Sequence, residues 1–395
     1  MKDREKENKA PASKKNVWLR AAVAVVLIAV AAAAFTYGFT RLFSAETGYR
    51  TVESTSGKAD CSSDFVFTYH LGVSGKSPTA EWKAVTSLYS EKAVYYYRLF
   101  HAAETFEDTP NLALINQSPN TAVTVPDELY RALEKAAADP GRNVYLAPVY
   151  AYYEVLFSSS YDEDAALWDP AENEALGETC RRALTFIGDE EQISLKFLGN
   201  DTVSLTVSPA YLRFAEEVGI DAFLDFGWLK NAYIADLMAE DFIRAGFLCG
   251  VLSARDGFVR NFDESAGEYA FDFFYENGGA VRIGGKLTYS DECAIVTFHA
   301  FALDEAEERL VYTYADGRRV TRYLTLADGL PHDARGAVTA YARNGSCADL
   351  ALSLLPYYTG DRAETFTDPG AGLIRYDGRG VRHREIEGFT FSPNA

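Results

Sequence analysis

The sequence predicts an α+β fold with a largely antiparallel sheet, preceded by one N-terminal transmembrane helix. Three observations carry this reading. Strand-like segments are separated mostly by tight turns and not by regularly alternating helices, which argues against a doubly wound parallel sheet. Turn residues sit where hairpins need them: Gly199-Asn200-Asp201, Asn277-Gly278-Gly279 and Asp316-Gly317 each fall between apolar runs. Finally, one long uncharged apolar stretch follows a basic arm at the N-terminus.

That arm, residues 1–20, carries Lys2, Arg4, Lys6, Lys9, Lys14, Lys15 and Arg20. Residues 21–40 hold no charge and are mostly Ala, Val, Leu and Ile. Their number matches the roughly 20 residues a helix needs to cross about 30 Å of hydrocarbon. Basic residues on the N-terminal side place the arm in the cytoplasm and the rest of the chain outside, as a single-pass protein of the cell membrane. A cleaved signal peptide is the rival reading, with the small residues 31–34 as its cleavage site. No Cys closes the run, so there is no lipoprotein signal. Residues 41–58 are polar and aperiodic and read as a linker, leaving 59–395 as the extracytoplasmic domain.

Within that domain, residues 64–71 alternate as a strand and 80–101 are compatible with a long helix. Thr124 reads as an N-cap, with Pro126 in the first turn and Asp127 completing a capping box, for a helix that runs to about residue 138. Residues 193–207 read as a hairpin and 228–245 as a helix stopped by Gly246. The segment 268–297 holds short strands punctuated by 276–279 and by Gly284-Gly285, and 310–326 is a further hairpin. Residues 337–342 form a strand, and 346–355 a helix that Pro356 ends.

Composition excludes some functions. A net charge of −19 argues against binding nucleic acid through its phosphates. The five cysteines are scattered without a Cys-x-x-Cys pair, so they read as buried free thiols and not zinc ligands. There is no Gly-x-Ser-x-Gly, His-Glu-x-x-His, phosphate-loop or dinucleotide glycine motif. His70, His101, His299, His332 and His383 have no recognisable partner nearby and read as structural or exposed.

Two segments carry candidate chemistry. In 224–236, Asp225 leads through Gly227 directly into a helix. A helix N-terminus receives anions, and Asp225 is otherwise an ordinary capping residue. In 344–353, Asp349 and Ser353 are four apart and share one helix face. A carboxylate with a hydroxyl is hard-ligand chemistry suited to Mg²⁺ beside phosphate oxygens. Ser346 and Asp349 are equally a capping box, which needs no metal.

Taken in order, these segments resemble the ApbE family of FAD:protein FMN transferases. The family's Ser-Glu-Leu-x-x-Leu-Asn followed by Val-x-Val-Ser-x-Glu-Leu is echoed at 111–116 and 122–129. Its Leu-Asp-Leu-Gly-Gly-Ile-Ala-Lys-Gly-Tyr-Ala-Val-Asp resembles 224–236 without a gap, matching at Leu224, Asp225, Gly227, Tyr233 and Asp236. Its Ala-Asp-Ala-Leu-x-Thr resembles 348–353. The resemblance implies Mg²⁺-dependent transfer of FMN from FAD to a Thr or Ser of an acceptor protein, such as a redox-complex subunit. It implies Asp349, Ser353 and a backbone carbonyl near Trp228 as metal ligands, and Asp225, Asn231 and Arg322 against the flavin nucleotide. The chain also departs from the pattern. The family Lys falls on Asn231, with Lys230 one position away, and Thr-Ser-Gly becomes Thr297-Phe298-His299. Asn-Ala-Gly-Gly-Asp becomes Ser253-Ala-Arg-Asp-Gly257. A non-catalytic flavin-binding or protein-interaction relative is therefore the alternative function.

Overall fold

The computed structural model describes residues 47–265, 267–303, 307–332, 335–360 and 365–394. The expected membrane helix at 21–40 lies outside them. Among the described residues, no helix is long and apolar enough to cross a membrane.

The architecture is α+β with antiparallel sheets. Eight strands form the central sheet, in the spatial order Gly48–Val52, Phe65–Leu71, Gly250–Ala254, Phe258–Asn261, Cys293–His299, Ala337–Arg343, Ala371–Tyr376 and Val381–Arg384. Every neighbouring pair is antiparallel. Side chains alternate between the two faces, as the pleat requires. Ala294, Val296, Phe298, Val338 and Ala340 point into a large core beneath the helices. Cys293, Ile295, Ala337 and Tyr341 point the other way, onto a second core shared with Phe273, Leu287, Phe389 and Phe391. That second core is closed by a three-stranded sheet of Phe389–Pro393, Ala280–Tyr289 and Tyr269–Asn277. All five cysteines are buried and free.

Most local readings hold. The hairpin Ile193–Gly199 with Thr202–Val207 turns through Asn200 at φ 49° and Asp201 at φ 55°, the left-handed pair a tight turn needs. The helix Lys230–Arg244 stops at Gly246, whose φ is 80°, and Phe247 N–H returns to the Phe242 carbonyl at 2.9 Å.

Three readings are corrected. Residues 48–52, inside the expected linker, are the edge strand of the central sheet, paired with Phe65–Leu71. Thr124 does not cap a helix. It ends the strand Ala122–Thr124 and faces Thr202, hydroxyl to hydroxyl at 3.0 Å, so the helix Asp127–Ala137 starts behind Pro126. Pro356 does not end its helix, which runs Cys347–Thr359. Leu354, Leu355, Tyr357 and Tyr358 are buried around it, and this packing outweighs the lost backbone hydrogen bond.

Candidate functional site

The helix Lys230–Arg244 begins with a 3-10 turn, Gly227–Leu229, whose N-cap residue, Phe226, makes no side-chain cap. What brings this start into place is Asn116, which is buried. Its Oδ1 accepts the Phe223 and Leu224 N–H groups at 3.2 and 2.9 Å, and its Nδ2 donates to the Leu224 and Ala102 carbonyls. Asp225 then accepts the Gly227 N–H at 2.8 Å. Gly227 sits at φ 53°, and a Cβ there would lie 2.5 Å from the Tyr150 ring. Glycine is required on both counts.

The turn opens into a cavity of about 350 Å³, within the size range of small-molecule sites. Besides Asp64, Arg309 and Leu310, its walls come from four places. The helix Ala147–Ser158 contributes Tyr150, Tyr153, Glu154 and Phe157, one face at i, i+3, i+4 and i+7. The helix start contributes Trp228, Lys230 and Asn231. Arg255 and Asp256 follow the strand Gly250–Ala254, and Arg322 follows Arg319–Thr321. A second cavity of about 670 Å³ shares Phe157, Ser158 and Arg309 with the first.

Four cations line the first cavity. Arg309 pairs with Asp64 at 2.8 Å, Arg322 reaches Asp256 at 3.4 Å, and Arg255 donates to the Ser63 carbonyl at 3.1 Å. The Lys230 ammonium has no hydrogen bond or ion pair among the described residues, although it lies in the field of Asp225 and Glu154. In a chain this acidic, a free ammonium beside a guanidinium at a helix start is a local attraction for anions.

The cavity also concentrates unmatched polar atoms. Of eleven buried side-chain polar atoms without a hydrogen bond among the described residues, five belong to its walls: Tyr150, Tyr153, Trp228, Asn231 and Asp256. Tyr150 and Trp228 face each other there without an aligned bond. Native proteins leave few such groups unsatisfied, so these atoms call for water, an ion or a ligand in the cavity. Burial pushes the Asp256 carboxyl above its ordinary value, opposed by Arg322 and Asn231. Burial does the same to Asp225, opposed by the Gly227 N–H, Lys230 and His101.

The sequence-derived residues separate. Trp228, Asn231 and Arg322 line this cavity, and Asp225 supports its rim. Asp349 and Ser353 do not line it. Asp349 is exposed and pairs with Lys135 at 2.8 Å, while Ser353 donates to the Leu350 carbonyl at 3.0 Å. Ser346 caps the helix by accepting the Asp349 N–H at 3.1 Å. Among the described residues, no three His, Cys, Asp or Glu side chains gather as a metal cluster. Asp349 and Ser353 would supply one carboxylate, now paired with an ammonium, and one hydroxyl, so water and phosphate oxygens would have to complete the six-oxygen shell that Mg²⁺ takes.

Sequence reasoning missed Tyr150, Tyr153, Glu154 and Asp256. The first three were accessible in principle as a helical stripe. Asp256 had no local signal, because its partners Asn231 and Arg322 are distant in sequence. Phe298 is fully buried in an aromatic cluster with Trp228, Tyr323 and Tyr358, so that part of the resembled pattern is now core.

No family model matches the chain, and no curated protein does. Solved structures do. The ApbE protein of Thermotoga maritima superposes with a TM-score of 0.57 at 14% identity, covering 87% of this chain and 97% of that one. The flavin transferase ApbE of Vibrio cholerae gives a TM-score of 0.51 at 12% identity, covering 89% and 97%. The fold is that of the ApbE flavin transferases.

Proposed function

We propose that this chain binds a flavin dinucleotide, FAD, in the cavity at the start of the helix Lys230–Arg244. The observation that carries the reading is convergence. The unpaired Lys230 ammonium and Arg322, at a helix start, meet five side chains that each carry one unmatched polar atom on one cavity. The cations and helix start suit a diphosphate, and Tyr150, Tyr153, Phe157 and Trp228 offer aromatic surface to a planar ring. Likeness to ApbE flavin transferases supports the choice of nucleotide. The domain acts outside the cell membrane, tethered by residues 21–40.

A second reading is FMN transfer from FAD to a Thr or Ser of an acceptor protein, in the presence of Mg²⁺. It is favoured by Asp349 and Ser353, which remain four apart and exposed on one helix. Titration of the full chain with FAD, followed by flavin fluorescence, tests the first reading. Saturable quenching that weakens in Lys230→Ala is expected, and no quenching with or without Mg²⁺ overturns it. AMP release with FAD, Mg²⁺ and an acceptor peptide, lost in Asp349→Ala, would establish the second.

A further inference from the structure

Lys230 and Arg322 account for binding an anion, but not for the two acceptor oxygens beside them. Asn231 Nδ2 donates to Asp256 Oδ2 at 2.9 Å. This bond sets the amide orientation, because the flipped amide would oppose two acceptor oxygens. Asn231 Oδ1 is then the free end of the pair. Asp256 Oδ2 also faces Arg322, at 3.4 Å, while Asp256 Oδ1 has no partner. Both residues are 8% exposed and both line the cavity. Two neighbouring acceptors are thus shielded from water and unmatched at one wall, an arrangement that folding alone disfavours.

Positions 231 and 256 are also two places where the chain departs from the pattern it resembles, with Asn for Lys and Asp for Gly. The side chains at these departures touch. Together they exchange a positive charge for a pair of acceptors, while Lys230 keeps an ammonium at the same wall.

We infer that Asn231 and Asp256 form one acceptor subsite that reads hydroxyl or N–H donors on the bound nucleotide. The inference rests on the reading of this cavity as a nucleotide site. Phosphate offers no such donors when ionised, so the subsite recognises the sugar or base portion, and the cations recognise the diphosphate. The division makes binding selective for whole nucleotides over inorganic diphosphate.

Calorimetric titration of the full chain in detergent with FAD, ADP and inorganic pyrophosphate tests this. Asp256→Asn preserves shape, and with Asn231 still donating to its oxygen it turns the free acceptor into a donor. Asn231→Ala removes the other acceptor. Each variant should bind FAD about tenfold or more weakly; pyrophosphate should bind Asn231→Ala within about twofold of wild type, and Asp256→Asn, which removes the charge facing Arg322, at least as tightly as wild type. Equal loss for ADP assigns the subsite to the part ADP shares with FAD, and retention of ADP assigns it to the flavin side. If wild type binds FAD and a folded variant binds it equally well, the pair is an internal strut and the subsite is wrong. If one variant does not fold, the other decides alone. If wild type binds neither FAD nor ADP, the nucleotide reading itself is wrong and the subsite falls with it.

Discussion

Two helix starts in this molecule were both candidate binding elements in the sequence, and they differ in how the fold meets their N–H groups. The helix Cys347–Thr359 starts on a filled socket. Asp236 accepts the Ser346 hydroxyl at 2.7 Å and the Cys347 and Ala348 N–H groups at 2.9 and 3.0 Å, with Arg260 3.8 Å behind it. The helix Lys230–Arg244 starts on an open one. The N-cap residue of its 3-10 turn, Phe226, offers no side-chain cap, one carboxylate, Asp225, takes only the Gly227 N–H, and unmatched polar groups surround it. The lesson is about donors. Every helix start presents N–H groups, and the two differ in how many donors the fold's own carboxylate takes up: three at Asp236 and one at Asp225.

The largest expected effect tests the filled socket. Asp236→Ala leaves three donors and Arg260 without their acceptor, and should cost about 3 kcal/mol of stability in urea unfolding. A loss near zero would mean that water replaces the carboxylate and that this socket, too, is open. Next comes the open socket's frame. Gly227→Ala forces a left-handed φ onto alanine and drives Cβ against the Tyr150 ring. It should cost about 2 kcal/mol, and FAD quenching should fall with it as the ring is pushed.

Lys230→Ala separates the two starts most cleanly. Stability should change by no more than about 0.5 kcal/mol, because Lys230 makes no ion pair among the described residues. Affinity for FAD should drop about tenfold. A stability loss without an affinity loss would reverse the assignment. The smallest effect belongs to Asp349. Its pair with Lys135 is exposed on both sides, so Asp349→Ala should cost no more than about 1 kcal/mol. Binding of FAD without Mg²⁺ should be unchanged, as measured by the same quenching titration.

Local chemistry made much of the fold legible. Asn200-Asp201 specifies a turn whatever surrounds it, because the two residues tolerate φ above zero. Gly246 ends a helix for the same reason. Where the reading failed, a distant partner had overridden a local preference. Thr124 is a good N-cap in isolation, but Thr202 recruits it into a strand. Pro356 breaks helices in isolation, but buried Tyr357 and Tyr358 keep this one going. Residues 48–52 carry too little apolar periodicity to announce a strand until Phe65–Leu71 pairs with them.

The candidate site follows the same division. From the sequence alone came the α+β class, the order of its hairpins and helices, and the helix start after Gly227. These rest on spacing and turn preference, which are properties of a few consecutive residues. Only the tertiary structure decided that Asp349 and Ser353 stand outside that cavity, that Asp236 fills one helix start, and that Lys230 is left free at the other. Hydrogen-bond satisfaction and burial are properties of groups brought together from far along the chain, and no local pattern encodes them.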